Sequence, residues 1–339
     1  MNSLMPARVV AGVCAVVFAA TPLMAADVEI EGLPEKIAFG SCYRNGKNPE
    51  IWKTIAETSP AAFLFLGDNV YADTADMAEM RAEYQQLLDE PNYAKFSKER
   101  PVIAIWDDHD YGENDAGAEF KAKDGAKLEF MRAFGVAEDH PMRTRGGVYH
   151  SVLFTDGEKK VQVILLDTRF FRSPLKSEMR GRMKAYLPDA DPKKTILGDE
   201  QWAWLKKELK EPADLRLVCS SIQVIADYHP FEKWANFPHE RERLLEELGE
   251  ASGKVMMLSG DRHMGEVAVV GDVMEVTSSG LTNAGGGRKA SVHEARIGNR
   301  VGKRNFGLLE IDWKKEGAPT VRPRLLGADG KDLWAAEEE

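Results

Sequence analysis

A chain of 339 residues is long enough to bury one large hydrophobic core or two modest ones, and 43% hydrophobic with 29% charged residues is ordinary for a soluble globular protein. The net charge of −10 leaves no basic excess to offset a phosphate backbone, so nucleic-acid binding is not expected. A local cluster could still hold a phosphate.

The chain opens with one basic residue, Arg8, then an apolar stretch from Val9 to Ala20, then Pro22 and the small residues Ala25 and Ala26. Residues 1–25 read as a cleavable secretory signal, placing the mature chain in the periplasm or outside the cell. The stretch is short for a membrane span and no other segment approaches the required length, so no transmembrane segment is expected in the mature chain. Export would leave Cys42 and Cys219 and permits, without establishing, a disulfide between them. Cys219, within "LRLVCSSIQV", reads as a small buried thiol.

Beyond the signal one pattern recurs: an apolar strand, polar residues at its carboxyl end, then a helical stretch. "KIAFG" runs into Ser41 and Cys42, and "AFLFL" into Gly67, Asp68 and Asn69, with Tyr71 just beyond. "VIAIW" runs into Asp107, Asp108, His109 and Asp110. Acids so close repel and raise one another's pKa values unless a cation sits among them, so they either fan out into water or hold a metal. "VQVILL" ends at Asp167, Thr168 and Arg169, "LRLVC" at Ser220 and Ser221, and "VMML" at Gly260, Asp261, Arg262 and His263. Helical periodicity spans Met77–Leu88, Ala126–Phe134, Asp199–Leu209 and Glu240–Leu248. Hairpins are expected around "VVGDVMEV" and in "FGLLEIDWKKEGAPTVRPRL". Alternating strands and helices predict an α/β layered domain over residues 33–330, and 331–339 an acidic, solvated tail.

Ligands bind outside the carboxyl ends of strands in open α/β sheets. If these strands share a sheet, Cys42, Asp68, Tyr71, Asp107, Asp108, His109, Asp261 and His263 converge, an inventory of metal donors. Arg44 either reaches a phosphate oxygen or lies on the surface. Asn69 either hydrogen-bonds substrate or stabilises its turn. Asn114 is a candidate support for the metal loop. Tyr228, His229, Trp234 and Phe237 read as a pocket wall or as core. The basic, glycine-rich run with Arg288, Lys289, Arg296 and Arg300 lacks P-loop spacing and reads as an anion-attracting loop.

In order, "FGSC", "GDNVYAD", "IWDDHDYGEN", "LLDTRF", "SSIQV", "LSGDRH" and "TSSGLT" resemble the motifs of PhoD-like metallophosphatases, the alkaline phosphatase D branch of the calcineurin-like phosphoesterases. The resemblance spans roughly Ile37 to Leu326. It implies a four-layer α/β/β/α sandwich with two metal ions, Fe3+ and Ca2+, or Zn2+, Mn2+ or Mg2+ in their place. Cys42 and Tyr71 would bind the iron, Asp68 would bridge, Asp108 would bind the second metal, and Asp261 and His263 would complete the two spheres. His109 would contact the phosphate or leaving oxygen. The β-sandwich domain that precedes the catalytic one in longer members is expected to be absent, with about ten residues between the signal and "KIAFGSC". The implied reaction is hydrolysis of phosphomono- or diesters of small molecules by a metal-activated water. The alternatives are a phospholipase D-type diesterase acting on phospholipid, or a non-catalytic metal or phosphate binder.

Overall fold

Strands that are apolar on both faces need cover on both sides, and the chain supplies it with two sheets and two sets of helices. A computed structural model describes residues 28–285, 293–314 and 316–335. The first half holds β1 (Val28–Glu31), β2 (Lys36–Gly40), α1 (Ile51–Glu57), β3 (Ala62–Leu66), α2 (Met77–Asp89), α3 (Pro91–Glu99), β4 (Val102–Ile105), α4 (Asp108–Tyr111), α5 (Lys123–Ala133), β5 (His150–Asp156) and β6 (Lys159–Leu166). The second holds β7 (Ser177–Arg180), β8 (Met183–Tyr186), α6 (Gly198–Glu208), β9 (Leu215–Ser220), α7 (Pro238–Glu250), β10 (Lys254–Ser259), β11 (Gly265–Val270), β12 (Val273–Ser278), β13 (Arg296–Val301), β14 (Asn305–Asp312) and β15 (Thr320–Gly327).

Five strands form one sheet in the order β15-β14-β2-β3-β4, in which β2, β3 and β4 run parallel. Eight form the other, β1-β5-β6-β9-β10-β12-β11-β13, with β6, β9, β10 and β12 parallel. Side-chain alternation shows the layering directly. Val161, Val163 and Leu165 of β6 join the core between the sheets, whereas Ile164 and Leu166 face Trp202 and Leu205 of α6 and Leu244 and Leu248 of α7. Under the smaller sheet, Trp52 of α1 meets Phe63 and Phe65 edge-on at 5.0 and 5.5 Å between ring centres. Burying a side chain of that size stabilises the layer by roughly 1.5–3 kcal/mol. The result is the expected α/β/β/α sandwich.

The converging strands do not share one sheet: the ends of β2, β3 and β4 come from the smaller sheet and that of β10 from the larger. The domain also starts before residue 33, because β1 pairs in parallel with β5, Val28 opposite Val152. At the other end, 331–335 are not a free tail. Leu333 N–H donates to the Leu325 carbonyl at 2.8 Å and the Trp334 indole to the Ile297 carbonyl at 3.1 Å. Apolar Leu333 and Trp334 outweigh the acidic character of the segment. Residues 1–25, read above as a signal, Arg288, Lys289 and residues 336–339 lie outside the described residues. Among those described, no helix is long and apolar enough to cross a membrane. Cys42 and Cys219 are both buried free thiols.

Candidate metal centre

Two glycines let the strand ends meet. A Cβ on Gly67 would stand 2.4 Å from the Cβ of Asp107, and one on Gly260 would stand 2.7 Å from the Leu66 carbonyl oxygen. The residues that follow are bent sharply. Cys42, Asp68, Asp261 and His263 all adopt positive φ, at 61°, 50°, 68° and 52°. Non-glycine side chains enter that region at a cost, and such strain gathers at functional sites.

The acids after β4 do not fan out into water: Asp107 and Asp110 are 0% exposed and Asp108 2%. They divide into two kinds. Asp110 is structural. Its Oδ1 accepts backbone N–H groups from Asp107 at 2.7 Å and Asp68 at 3.2 Å, and its Oδ2 accepts from the Asn69 backbone, the Asn69 amide and the Tyr84 hydroxyl. Asp107, Asp108 and Asp68 face a common space. Three donor groups have ligand atoms within 4.8 Å of one another: Cys42, Asp68 and His263; Asp68, Asp108 and His109; and Asp107, Asp108 and Asp261. Asp68 belongs to the first two. Tyr71 completes the first, its hydroxyl 3.2 Å from Asp68 Oδ2 and 3.1 Å from His263 Nε2. His263 therefore groups with Cys42 and Tyr71, and Asp261 with Asp108.

The surroundings are those of a site built around cations. Asp68 Oδ1 and Asp107 Oδ2 are buried without a hydrogen-bond partner among the described residues, an arrangement that a bound cation would relieve. Burial, then the charges of Cys42 and Asp108, drives Asp68 well above the usual carboxylate range. Burial pushes Asp261 up to about 7, with Asp107 adding to it, and the Cys42 thiol up to about 11. It raises the Tyr71 phenol too, reinforced by Cys42 and Asp68. Cations would reverse these shifts and hold the same groups ionised. Asp107 is anchored from behind by buried Arg169, whose Nε donates to its Oδ1 at 2.6 Å. Arg169 in turn pairs with Glu232 at 2.6 Å, and Glu232 with Arg172 at 2.8 Å.

His109 stands at the mouth. Its Nδ1 lies 2.6 Å from Asp73 Oδ1 and its ring rests on Tyr71, 4.2 Å between centres. Burial alone would lower its pKa, but the Asp73 hydrogen bond and the charges of Asp68 and Asp108 outweigh it and push it up to about 10. Arg44 is exposed beside the same opening, its guanidinium carbon 5.6 Å from the Tyr71 ring centre.

One candidate is displaced. Asn69 is fully buried and its amide donates to the Ile105 carbonyl at 3.0 Å and to Asp110 at 2.5 Å, so it faces the fold and not a substrate. It stabilises the turn. Asn114 holds Asp115 Oδ2 at 2.6 Å, and the Asp115 N–H holds Asp108 Oδ2 at 2.7 Å, an indirect support of that carboxylate. The stretch after β9 splits: Trp234 and Phe237 are core, while Tyr228 and His229 line clefts. Sequence reading saw Asp110 only as one of the clustered acids and missed Asp73, Ser279 and Asn283. Ser279 Oγ lies 3.1 Å from Cys42 Sγ and the Asn283 amide donates to Tyr71 at 3.0 Å. Their only signal was position in or beside the motifs "DDHD", "YAD" and "TSSGLT".

A four-layer sandwich whose two sheets meet at three overlapping groups of candidate metal ligands is the architecture of the metal-dependent phosphoesterases. Residues 37–305 match the family of PhoD-like phosphatases, and the chain belongs to that family. Among solved structures it is similar to PhoD, with a TM-score of 0.65 and 16% identity over 93% of this chain and 73% of that one. It is similar also to GAP50, the anchor in the inner membrane complex of Plasmodium, with a TM-score of 0.59 and 14% identity over 91% and 90%. A dimetal phosphatase from Danio rerio gives 0.51 and 12% over 90% and 100%. At these identities the likeness is one of fold. No curated protein matches the chain.

Proposed function

We propose that this protein is an exported, two-metal phosphoesterase of the alkaline phosphatase D type, hydrolysing phosphomono- or diesters of small molecules. The observation that carries the reading is Asp68, shared by two donor groups, with one oxygen buried and unpartnered. A carboxylate placed between two donor groups would bridge a pair of cations and fix their separation. The thiol, phenol and imidazole of Cys42, Tyr71 and His263 suit Fe3+, with Zn2+ the main competitor, and the oxygen-rich Asp107, Asp108 and Asp261 suit Ca2+, Mn2+ or Mg2+. Bound there, the cations would supply the Lewis acidity that activates water and neutralises phosphoryl oxygens. His109, oriented by Asp73, would hand a proton to the leaving oxygen, and Arg44 would meet a phosphate oxygen at the mouth. Export is supported by the apolar, small-residue opening of the chain.

Because a protein described as an anchor shares the fold, the donor set and not the architecture carries this reading. The test is metal analysis with a panel of p-nitrophenyl phosphate, its bis-ester and phosphatidylcholine. Two metals per chain and turnover of the small esters are expected, and Asp68→Asn should keep less than about a tenth of kcat, a loss above ~1.4 kcal/mol, with lower content of both metals. Metal binding with no turnover would instead identify a binder, and turnover of phosphatidylcholine alone a phospholipase D-type enzyme.

A further inference from the structure

The motif "GDRH" places an arginine between two candidate ligands, and the basic run that follows contains Arg300; the chemistry above uses neither. Both line a cleft of about 580 Å3 that opens beside Asp108, His109, Asp261 and His263. The Arg262 side chain is 11% exposed, and its Nε is buried without a hydrogen-bond partner among the described residues. The nearest carboxylate oxygen, Asp261 Oδ2, is 4.0 Å away, beyond hydrogen-bond reach and on a candidate metal ligand. The guanidinium is stacked on Phe231, 4.1 Å from the ring centre. Arg300 Nε is likewise buried and unpartnered. Lys184 of β8 lines the same cleft. The remaining acid on its wall, Asp115, is engaged by Asn114 and by Tyr186, each at 2.6 Å.

Two arginines whose Nε is buried and unpartnered among the described residues are costly to hold unless a ligand supplies an acceptor. Stacking on Phe231 fixes one of them in plane, so little side-chain freedom is lost when it grips a planar or tetrahedral oxyanion. We propose that Arg262 and Arg300, with Lys184 beside them, form a subsite for a second anionic group, phosphate or carboxylate, carried by the substrate apart from its scissile phosphoester. This rests on the phosphoesterase reading and names its substrate class: esters bearing two anionic groups. Arg262 is held on Phe231, in the loop between β9 and α7.

The test is calorimetric. Metal-loaded protein is titrated with methylphosphonate, with alkylene bisphosphonates of increasing chain length, and with the matching phosphonocarboxylates. Wild type should bind one bisphosphonate at least about tenfold more tightly than methylphosphonate, and Arg262→Met and Arg300→Met should each cut that ratio about tenfold. A phosphonocarboxylate that shares the preference identifies carboxylate as an accepted second anion; one that does not narrows the site to phosphate. A wild-type ratio near one, or a ratio unchanged in both variants, overturns the subsite. An arginine-dependent ratio in a protein that hydrolyses no phosphoester would leave the subsite standing and sink the phosphoesterase reading.

Discussion

Asp110 Oδ1 accepts the backbone N–H of Asp68 at 3.2 Å, tying the residue shared by two candidate metal groups to an acid 42 positions further along the chain. The same oxygen takes the Asp107 N–H, so one buried carboxylate sets the spacing of two strand ends. Asp110→Asn would turn a donor toward those N–H groups. It should cost about 1–3 kcal/mol, as buried donors lose their acceptor, and lower the metal content. Urea unfolding and metal analysis check both; a variant with wild-type midpoint and full metal would remove Asp110 from this role.

His109 lies within reach both of a ligand group and of the site's mouth, and Asp73 holds its Nδ1. As the proton donor, His109→Ala should retain both metals and lose roughly 10²–10⁴ in kcat. Asp73→Ala, which removes the acceptor and frees the ring, should lose about tenfold or less in kcat. Loss of metal from His109→Ala would make it a ligand instead.

Tyr71 offers its phenol to Asp68 and His263 in the group that holds Cys42. A phenolate on Fe3+ donates charge into a partly filled d shell, so protein purified with its native metal should absorb visible light. Tyr71→Phe should remove or shift the band and Cys42→Ser shift it again, both with loss of iron. A colourless, active zinc protein would defeat the iron assignment alone.

His150, at the start of β5, is fully buried, with Nδ1 2.9 Å from the Val148 carbonyl and Nε2 unpartnered among the described residues. Burial pushes its pKa down to about 3, below the usual 6.5. On acidification the unfolded chain therefore takes up the proton first. Stability from neutral His150 is whole above pH 6.5 and drains away toward pH 3, by at most ~1.4 kcal/mol per pH unit. Unfolding free energies of wild type and His150→Phe across that range should differ in slope by about one proton. Parallel curves would mean that His150 is solvated in the native state.

Local pattern in the sequence was enough for the elements with a strong period or none at all. The apolar runs of β2, β3, β4 and β10, and those of β6 and β9 broken only by Gln162 and Arg216, can be read because both faces of each are buried, and α2, α5, α6 and α7 because one stripe of each is. Short β1, β7 and β8 and the single turn of α4 carry too few residues for a period, and their pairing partners decide them. The same division holds in the site. Cys42, Asp68, Tyr71, Asp108, His109, Asp261 and His263 stood out because reactive side chains at strand ends are visible locally. The roles of Asn69 and Asp110 were not, since each depends on which backbone groups another strand brings beside it. Sequence alone determined which donors each strand end carries. Tertiary structure decided which donors share a group, that Asp68 belongs to two of them, and that Arg262 Nε has no hydrogen-bond partner among the described residues, because those relations depend on which strand ends, far apart in the chain, the fold brings together.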